Sequence, residues 1–185
     1  MVLITGGARV GKTKLAIDIC AKCGPNVLYL ATGKPGGDFF ENEVIRRSRK
    51  QRPFNWAVRE AFLGLDAILD EESFKYDAIL IENIRVLVSN LMVYFGYDSA
   101  SADLKRLTRN IIDEMTRIII AARRVHTQTV FVTNEVNITS PDACDMYKTQ
   151  MEILGRVNQQ LAAASGEVYL VVSGIPIKIK PWIMG

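Results

Sequence analysis

The sequence predicts an α/β sandwich whose sheet is mostly parallel and ends in an antiparallel hairpin. Short apolar runs of strand length alternate with longer helical runs along almost all of the 185 residues. The run Asp77 to Glu82, "DAILIE", is apolar throughout its interior, as is typical of a central strand in a parallel sheet. The last apolar stretch, Glu167 to Lys180, breaks at Ser173-Gly174 and predicts two strands joined by a tight turn.

The first third of the chain predicts two strands that flank a helix, followed by a basic segment. The turn residues Gly24-Pro25 separate the first helix from the second strand. Asp38 is placed to cap a further helix through the basic segment, which must end before Pro53. The predicted elements are a strand at Val2–Thr5, a helix at Lys12–Lys22 and a strand at Asn26–Thr32.

The rest of the chain continues the alternation without a linker, an internal repeat or a low-complexity segment. We therefore expect a single domain over residues 1–185. The predicted helices are Ala61–Glu72, Ile84–Phe95, Ala102–Val125 and Ala143–Ser165, and the predicted strands are Asp77–Glu82, Gln128–Glu135 and the two halves of Glu167–Lys180.

The charge, the apolar stretches and the cysteine content limit the classes of protein to which this chain can belong. The net charge is only +3, so the basic run at residues 45–52 is local and does not indicate a nucleic-acid-binding surface. No apolar stretch is long enough to span a bilayer, and "MVLITGG" does not read as a signal peptide, so we expect a cytoplasmic protein. Cys20 and Cys23 form a CxxC, but no second pair completes a zinc site, and with Cys144 they are interpreted as ordinary thiols.

The segment "GGARVGKT" matches G-x-x-x-x-G-K-[ST], follows a predicted strand and opens a predicted helix, which is the context of a P-loop. Its glycines let backbone N–H groups turn toward phosphate oxygens, and the helix N-terminus adds positive potential. Lys12 should reach the β- and γ-phosphates, and Thr13 should ligate Mg²⁺. The alternative is a glycine-rich turn without a ligand. The residues are Gly6, Gly7, Ala8, Arg9, Val10, Gly11, Lys12 and Thr13.

A P-loop needs a further carboxylate near the magnesium ion, at the end of an apolar strand. Glu82 ends "AILIE" at the carboxyl end of its strand, whereas Asp77 begins that strand, at the edge away from bound phosphates. Glu82 is therefore the preferred candidate, with capping of the next helix as the alternative role. Glu135, which ends "VFVTNE", reaches the same edge and is a second candidate.

These motifs predict nucleotide binding with Mg²⁺ and phosphoryl transfer, but they identify neither the acceptor nor the base. A P-loop reads phosphates, so ATP and GTP both remain open. No N-K-x-D signature of a GTPase base-recognition loop is present.

Several phrases taken together resemble the bifunctional adenosylcobinamide kinase / adenosylcobinamide-phosphate guanylyltransferase family of cobalamin biosynthesis. They include "ITGGARVGKT", "VLYLATG", "DAILIENI", "VFVTNEV" and "GRVNQQLAA", in an order that spans residues 2–180. The resemblance implies a RecA-like fold, a homotrimer, and a nucleoside triphosphate and a corrinoid as substrates. It implies phosphorylation of adenosylcobinamide, followed by guanylyl transfer from GTP. It places nucleotide contacts on the P-loop and on Ala31, Thr32, Gly33, Arg49, Lys50, Gln51, Arg52, Glu60 and Glu82.

One position departs from that family's pattern. Where the family carries the histidine that accepts GMP, this sequence has Ser48, followed by Arg49. A serine adduct is a phosphodiester whose leaving group is an alkoxide, and no base is evident beside Ser48 to activate it. The double-displacement transferase is therefore expected to be lost or replaced by direct transfer. His126, the one histidine, precedes a strand and should lie far from the nucleotide.

Three hypotheses remain open. The first is a Mg²⁺-dependent kinase for adenosylcobinamide, in which Arg49 and Arg52 hold phosphates. The second is a non-catalytic relative, in which GTP occupancy regulates a partner. For the basic run itself, the alternative to phosphate contact is a solvated helix face or a surface for an acidic partner. The third is a kinase for another small hydroxyl compound, motivated by "NITSP" at residues 137–141, where the family usually continues differently.

Overall fold

The protein, seen in a computed structural model that describes residues 1–33, 52–97, 103–136 and 143–181, is built around one seven-stranded sheet. Its strand order is β3-β2-β4-β5-β1-β6-β7. The strands are β1 Val2–Gly6, β2 Val27–Ala31, β3 Ala57–Glu60, β4 Ala78–Glu82, β5 Gln128–Val132, β6 Glu167–Val172 and β7 Ile175–Lys180. The helices in the described residues are α1 Lys12–Cys23, α2 Leu65–Glu72, α3 Ile84–Tyr94, α4 Leu104–Arg124 and α5 Asp145–Ala164.

The predicted sheet topology is confirmed. All neighbouring pairs from β3 to β6 are parallel, and only β6 and β7 pair antiparallel. The hairpin turns at Ser173 and Gly174, where the sequence predicted the break between two strands, and both residues have positive φ. β1 lies between β5 and β6, so the loop that follows β1 emerges near the middle of the sheet.

The apolar strands are buried because helices cover both faces of the sheet. One face, including Leu30, Ile81 and Phe131, packs against α2, α3, α4 and α5. The other face, including Ile4 and Leu80, packs against α1. Burial on both faces explains why β1, β2 and β4 show no apolar–polar alternation in the sequence.

One strand was not predicted from the sequence, and one helix begins later than predicted. β3 is short and half-exposed, so its residues carry no clear period, and it exists because it pairs with β2. The predicted helix at Ala61 begins only at Leu65, since the Ala61 N–H donates to Ala31 O at 3.0 Å and extends the β2–β3 pairing. Gly64, with φ of +66°, then turns the chain into α2.

Two predicted features lie outside the described residues. They are the helix capped by Asp38 and the segment "NITSP". The helices α3, α4 and α5 match their predicted positions, with ends that differ by one or two residues. Within the described ranges, no helix is both long and apolar enough to cross a membrane.

Candidate nucleotide-binding site

The loop between β1 and α1 has the backbone conformation that a P-loop requires. Gly6 has φ of +144° and Gly11 has φ of +98°, and Arg9 also lies at positive φ. A Cβ on Gly6 would lie 2.4 Å from the Val171 carbonyl oxygen, so only glycine fits there. Gly11 caps α1 without a side-chain contact, which leaves the first N–H groups of the helix directed at the loop.

The β6–β7 hairpin supports this loop from behind. The Gly174 N–H donates to Val10 O at 3.0 Å, and the turn approaches Gly11 closely enough that a Cβ there would contact Gly174 Cα at 3.6 Å. Ala8 and Arg9 are exposed at the tip of the loop, and Gly7 is half-buried. The loop therefore has a rigid base and an open tip.

Lys12 is buried inside the curve of the loop, with 7 % of its surface exposed. Its Nζ donates to Gly6 O at 3.0 Å and also to Gly7 O. Burial lowers the pKa of the Lys12 ammonium, and the nearby Glu82 carboxylate opposes that change. The Lys12 ammonium therefore lies at the base of the loop, in contact with two loop carbonyls and near the Glu82 carboxylate.

Glu82 ends β4 and contacts the first turn of α1. The Thr13 hydroxyl donates to Glu82 Oε1 at 2.6 Å, and the Tyr29 hydroxyl donates to Glu82 Oε2 at 3.1 Å. Burial raises the pKa of Glu82, whereas the hydrogen bonds from Thr13 and Tyr29 and the charge of Lys12 act to lower it. A hydroxyl and a carboxylate side by side at a P-loop form the oxygen ligand set that Mg²⁺ prefers.

The other side chains considered from the sequence as site candidates lie at different edges of the sheet. Glu135 reaches the same edge, where Oε2 accepts from Thr5 Oγ1 at 3.0 Å, but its described contacts do not include Thr13. Asp77 lies at the opposite edge and accepts from the Asn26 N–H. His126 is exposed between α4 and β5, also at the opposite edge. Within the described ranges, no three His, Cys, Asp or Glu residues cluster to hold a metal, so a magnesium ion here would also need phosphate and water ligands.

The end of β2 is tied to the end of β4. The Thr32 N–H donates to Glu82 O at 3.1 Å, and Thr32 Oγ1 both donates to Asn83 O at 2.7 Å and accepts from the Asn83 N–H at 2.8 Å. Ala31, Thr32 and Gly33 are buried at this edge. Glu60 ends β3 beside Ala31. All of these predicted contact residues therefore reach the carboxyl edge of the sheet.

Arg52 is the one member of the predicted basic contact set that the structure describes. Its guanidinium carbon lies 4.7 Å from the centre of the Tyr29 ring. A turn from Pro53 to Trp56 follows, and buried Trp56 belongs to the same apolar cluster as Tyr29. Ser48, Arg49, Lys50 and Gln51 lie outside the described residues.

Three hydrogen-bonded asparagines at this edge of the sheet were not predicted from the sequence. Asn83 Nδ2 donates to Asn134 Oδ1 at 3.0 Å, and Asn158 Nδ2 donates to Asn134 O at 2.9 Å. Asn158 Oδ1 also accepts from Thr133 Oγ1 at 2.7 Å. Tyr29 was missed as well. Each asparagine stands in a phrase already singled out ("ENI", "TNE" and "GRVNQ"), but only the fold shows that they touch.

The fold and the loop define a P-loop protein of the mononucleotide-binding α/β class. A solved structure of a prototypical ATPase from the type III secretion system of pathogenic bacteria shares this fold. Its TM-score is 0.53 at 11 % sequence identity, and the match covers 92 % of this chain and 50 % of that one.

The family follows from sequence comparison. Residues 2–179 match the model of the family described as cobinamide kinase / cobinamide phosphate guanyltransferase, and the chain belongs to that family. It is 38 % identical to the bifunctional adenosylcobalamin biosynthesis protein CobU of Salmonella typhimurium, over 97 % of this chain and 99 % of the relative. It is 36 % identical to the protein of the same name from Escherichia coli, over the same shares. The resemblance read from the sequence, and the prediction of an enzyme family, are confirmed.

Proposed function

We propose that this protein is a Mg²⁺-dependent kinase that transfers a phosphoryl group from ATP or GTP to the free hydroxyl of adenosylcobinamide. The observation that carries the proposal is the 2.6 Å contact between Thr13 and Glu82, next to Lys12 in the P-loop. Membership of the family supports the corrinoid acceptor. We take residues 1–185 as one nucleotide-binding domain, since the family match covers nearly all of it.

In the proposed reaction the chain positions the nucleotide and stabilises charge. The loop N–H groups and the N-terminus of α1 bind the β- and γ-phosphates, and Lys12 adds a weakly screened positive charge. Thr13 and Glu82 would hold Mg²⁺, which neutralises charge on the phosphate oxygens when bound. The acceptor oxygen forms a bond to the γ-phosphorus as the bond to the bridging oxygen breaks, and its proton is lost to water.

The proposed nucleotide-contact residues are assigned partly from their position in the sheet and partly from the family pattern. Ala31, Thr32, Gly33 and Glu60 lie at the carboxyl edge, where nucleotides bind in sheets of this kind. Arg52 lies over the ring of Tyr29, whose hydroxyl donates to Glu82, and is proposed to contact phosphate together with Arg49, Lys50 and Gln51.

The guanylyltransferase half is proposed to be lost or to run by direct transfer. Ser48 stands where a covalent intermediate would need a histidine. When the guanylyl group moves on from a histidine, the leaving group is a near-neutral imidazole. When it moves on from a serine, the leaving group is an alkoxide, so onward transfer from serine would be slow. His126 is at the opposite edge of the sheet and is not a substitute.

Intact mass spectrometry after incubation with GTP and Mg²⁺, with adenosylcobinamide and its products followed in the same samples, tests these assignments. Conversion to adenosylcobinamide phosphate without a protein adduct is expected. A GMP-sized adduct that maps to Ser48 would show a serine-based transferase instead. GDP-cobinamide without an adduct would indicate direct transfer.

Two other outcomes correspond to the alternative hypotheses. Nucleotide binding without turnover of any acceptor would indicate a regulatory relative. Turnover of another hydroxyl compound and none with adenosylcobinamide would indicate a different kinase, as the altered segment at residues 137–141 would allow.

We further propose a cytoplasmic homotrimer. Cys20, Cys23 and Cys144 are all free thiols, as is usual in a reducing compartment. Leu104 and Ile120 on α4 are 46 % and 55 % exposed, which makes apolar surface available for contacts between subunits. Light scattering coupled to size-exclusion chromatography should give three times the chain mass, and a monomer mass would contradict this.

A further inference from the structure

Tyr29 is buried in the middle of β2, yet it carries a polar contact to the centre of the site. Only 3 % of its surface is exposed. Its hydroxyl donates to Glu82 Oε2 at 3.1 Å, across the β2–β4 pair in which Tyr29 lies opposite Leu80. The side chain belongs to the cluster that packs under α1. A tyrosine in this place contributes apolar packing through its ring and a hydrogen bond to Glu82 through its hydroxyl, and the hydroxyl can be removed while the ring is kept.

Glu82 is held at both oxygens by hydroxyl groups from different elements. Thr13, in the first turn of α1, takes Oε1, and Tyr29, in β2, takes Oε2. Glu82 as a whole is only 8 % exposed, so water cannot readily replace a lost donor. With Oε2 fixed, the carboxylate cannot rotate about its terminal bond without breaking a buried hydrogen bond. Its orientation toward Thr13 therefore depends on Tyr29.

We propose that Tyr29 is a positioning residue of the phosphoryl-transfer site, which orients the Glu82 carboxylate for Thr13 and the metal and seats Arg52 on its ring. The inference rests on the proposed function, because it assigns Glu82 and Thr13 to magnesium. Tyr29 is assigned a positioning role because its hydroxyl donates to Glu82, through which it acts.

The second part of the proposed role of Tyr29 is the contact of its ring with Arg52. The Arg52 guanidinium carbon lies 4.7 Å from the ring centre, within the range of a cation–π contact. Tyr29 therefore contacts the carboxylate through its hydroxyl and the end of the basic segment through its ring. Replacing Tyr29 by phenylalanine keeps the ring that Arg52 contacts and removes the hydroxyl that donates to Glu82.

The chain offers a matched control for that change. Tyr169 Oη donates to Glu167 Oε2 at 2.6 Å, near the start of β6 and at the edge opposite the P-loop. Tyr169→Phe removes the same kind of tyrosine–glutamate hydrogen bond away from the site. Tyr169→Phe therefore controls for the loss of a tyrosine hydroxyl elsewhere in the sheet, at a site where Glu167 keeps its ion pair with Lys178 at 3.2 Å.

The first readout is steady-state kinetics with adenosylcobinamide, at saturating Mg²⁺. Tyr29→Phe should lower kcat about 10-fold and leave the KM for the nucleotide within about two-fold, as for loss of a group that orients a metal ligand. In a Glu82→Gln background the same substitution should have no further effect, because Tyr29 acts through Glu82. Tyr169→Phe should retain the wild-type kcat.

The second readout does not need turnover. Electron paramagnetic resonance of Mn²⁺ with the protein and GTP should show half-saturation at several-fold higher Mn²⁺ in Tyr29→Phe than in wild type or Tyr169→Phe. Binding of GTP without metal should be unchanged. Thermal unfolding identifies a variant that simply fails to fold.

The two proposals fail in distinguishable ways. A wild-type protein that binds Mn²⁺ and GTP but never turns over adenosylcobinamide would overturn the proposed function, and the metal titration would still decide on Tyr29. Wild-type Mn²⁺ half-saturation in a folded Tyr29→Phe would overturn the positioning role. So would an equal further loss of kcat in the Glu82→Gln background, since that loss would not pass through Glu82.

Discussion

The Thr13 hydroxyl donates to Glu82 Oε1 at 2.6 Å and so joins the first turn of α1 to the end of β4. The two residues are 69 positions apart in the chain, and the sheet order places their elements at one edge. Because Thr13 gives its proton to Glu82, its oxygen lone pairs are available to a cation. This contact is the basis of the metal assignment.

Replacing Glu82 by glutamine should therefore lower kcat of the kinase by about 100-fold while the fold is retained. Glutamine keeps the shape but loses the charge that faces buried Lys12, so the thermal midpoint should fall. Coupled assays of adenosylcobinamide phosphorylation and thermal unfolding measure the two effects. Glu135→Gln is the comparison, since Glu135 reaches the same edge but contacts Thr5. A larger loss in Glu135→Gln would transfer the metal assignment to Glu135.

Gly6→Ala should destabilise the protein strongly. Gly6 has φ of +144°, and its Cβ would lie 2.4 Å from Val171 O, so loop and hairpin must separate. The expected loss in the free energy of unfolding is about 2–3 kcal/mol. Chemical denaturation measures it. Gly7→Ala is the matched control, because its Cβ would meet only Val10 Cγ1 at 3.6 Å. Equal losses in both variants would contradict the steric argument.

Asn158→Ala should loosen the carboxyl edge of β5. The side chain of Asn158 accepts from Thr133 Oγ1 and donates to Asn134 O, so its removal leaves both groups without that partner. The expected cost in the free energy of unfolding is about 1–3 kcal/mol. Gln159→Ala, at the exposed neighbouring position of α5, should change stability by less than about 0.5 kcal/mol. Hydrogen exchange at Thr133 and Asn134 should rise only in Asn158→Ala; unchanged exchange there would argue against this network.

The three cysteines should differ in reactivity toward an alkylating reagent. Burial raises the pKa of Cys20 to about 12, so its thiolate is scarce at neutral pH, and it is also fully buried. Burial raises the pKa of Cys23 as well, and the Asp77 charge adds to this, but Cys23 is exposed. Because only the thiolate reacts, labelling of Cys23 should rise steeply from pH 7 to pH 9. Peptide mapping should find Cys23 and Cys144 labelled and Cys20 protected until denaturant is added. Rapid labelling of Cys20 in the native protein would contradict its burial between α1 and the sheet.

Local patterns in the sequence were sufficient for most elements and for the P-loop. "GGARVGKT" predicts the loop because a phosphate cradle needs glycine at fixed places in a continuous segment, and the whole device is local. The buried strands β1, β2 and β4 were also predictable, since burial on both faces requires an unbroken apolar run. β3 was not predictable, because four half-exposed residues become a strand only by pairing with β2.

The candidate site shows the same division. Lys12, Thr13 and Glu82 followed from motif and strand position, and the family resemblance followed from several phrases in order. The choice of Glu82 over Glu135 as the partner of Thr13 needed the sheet, since both acids reach the same edge, where Glu82 accepts from Thr13 and Glu135 accepts from Thr5. Tyr29 and the Asn83–Asn134–Asn158 chain could not be found by pattern, because a single tyrosine or asparagine carries no period. By itself the sequence determined the phosphate loop, the strand and helix order and the family, all of which are properties of neighbours along the chain. Only the tertiary structure decided which side chains meet, because hydrogen bonds such as Tyr29 to Glu82 join residues 53 positions apart that parallel pairing of β2 with β4 brings together.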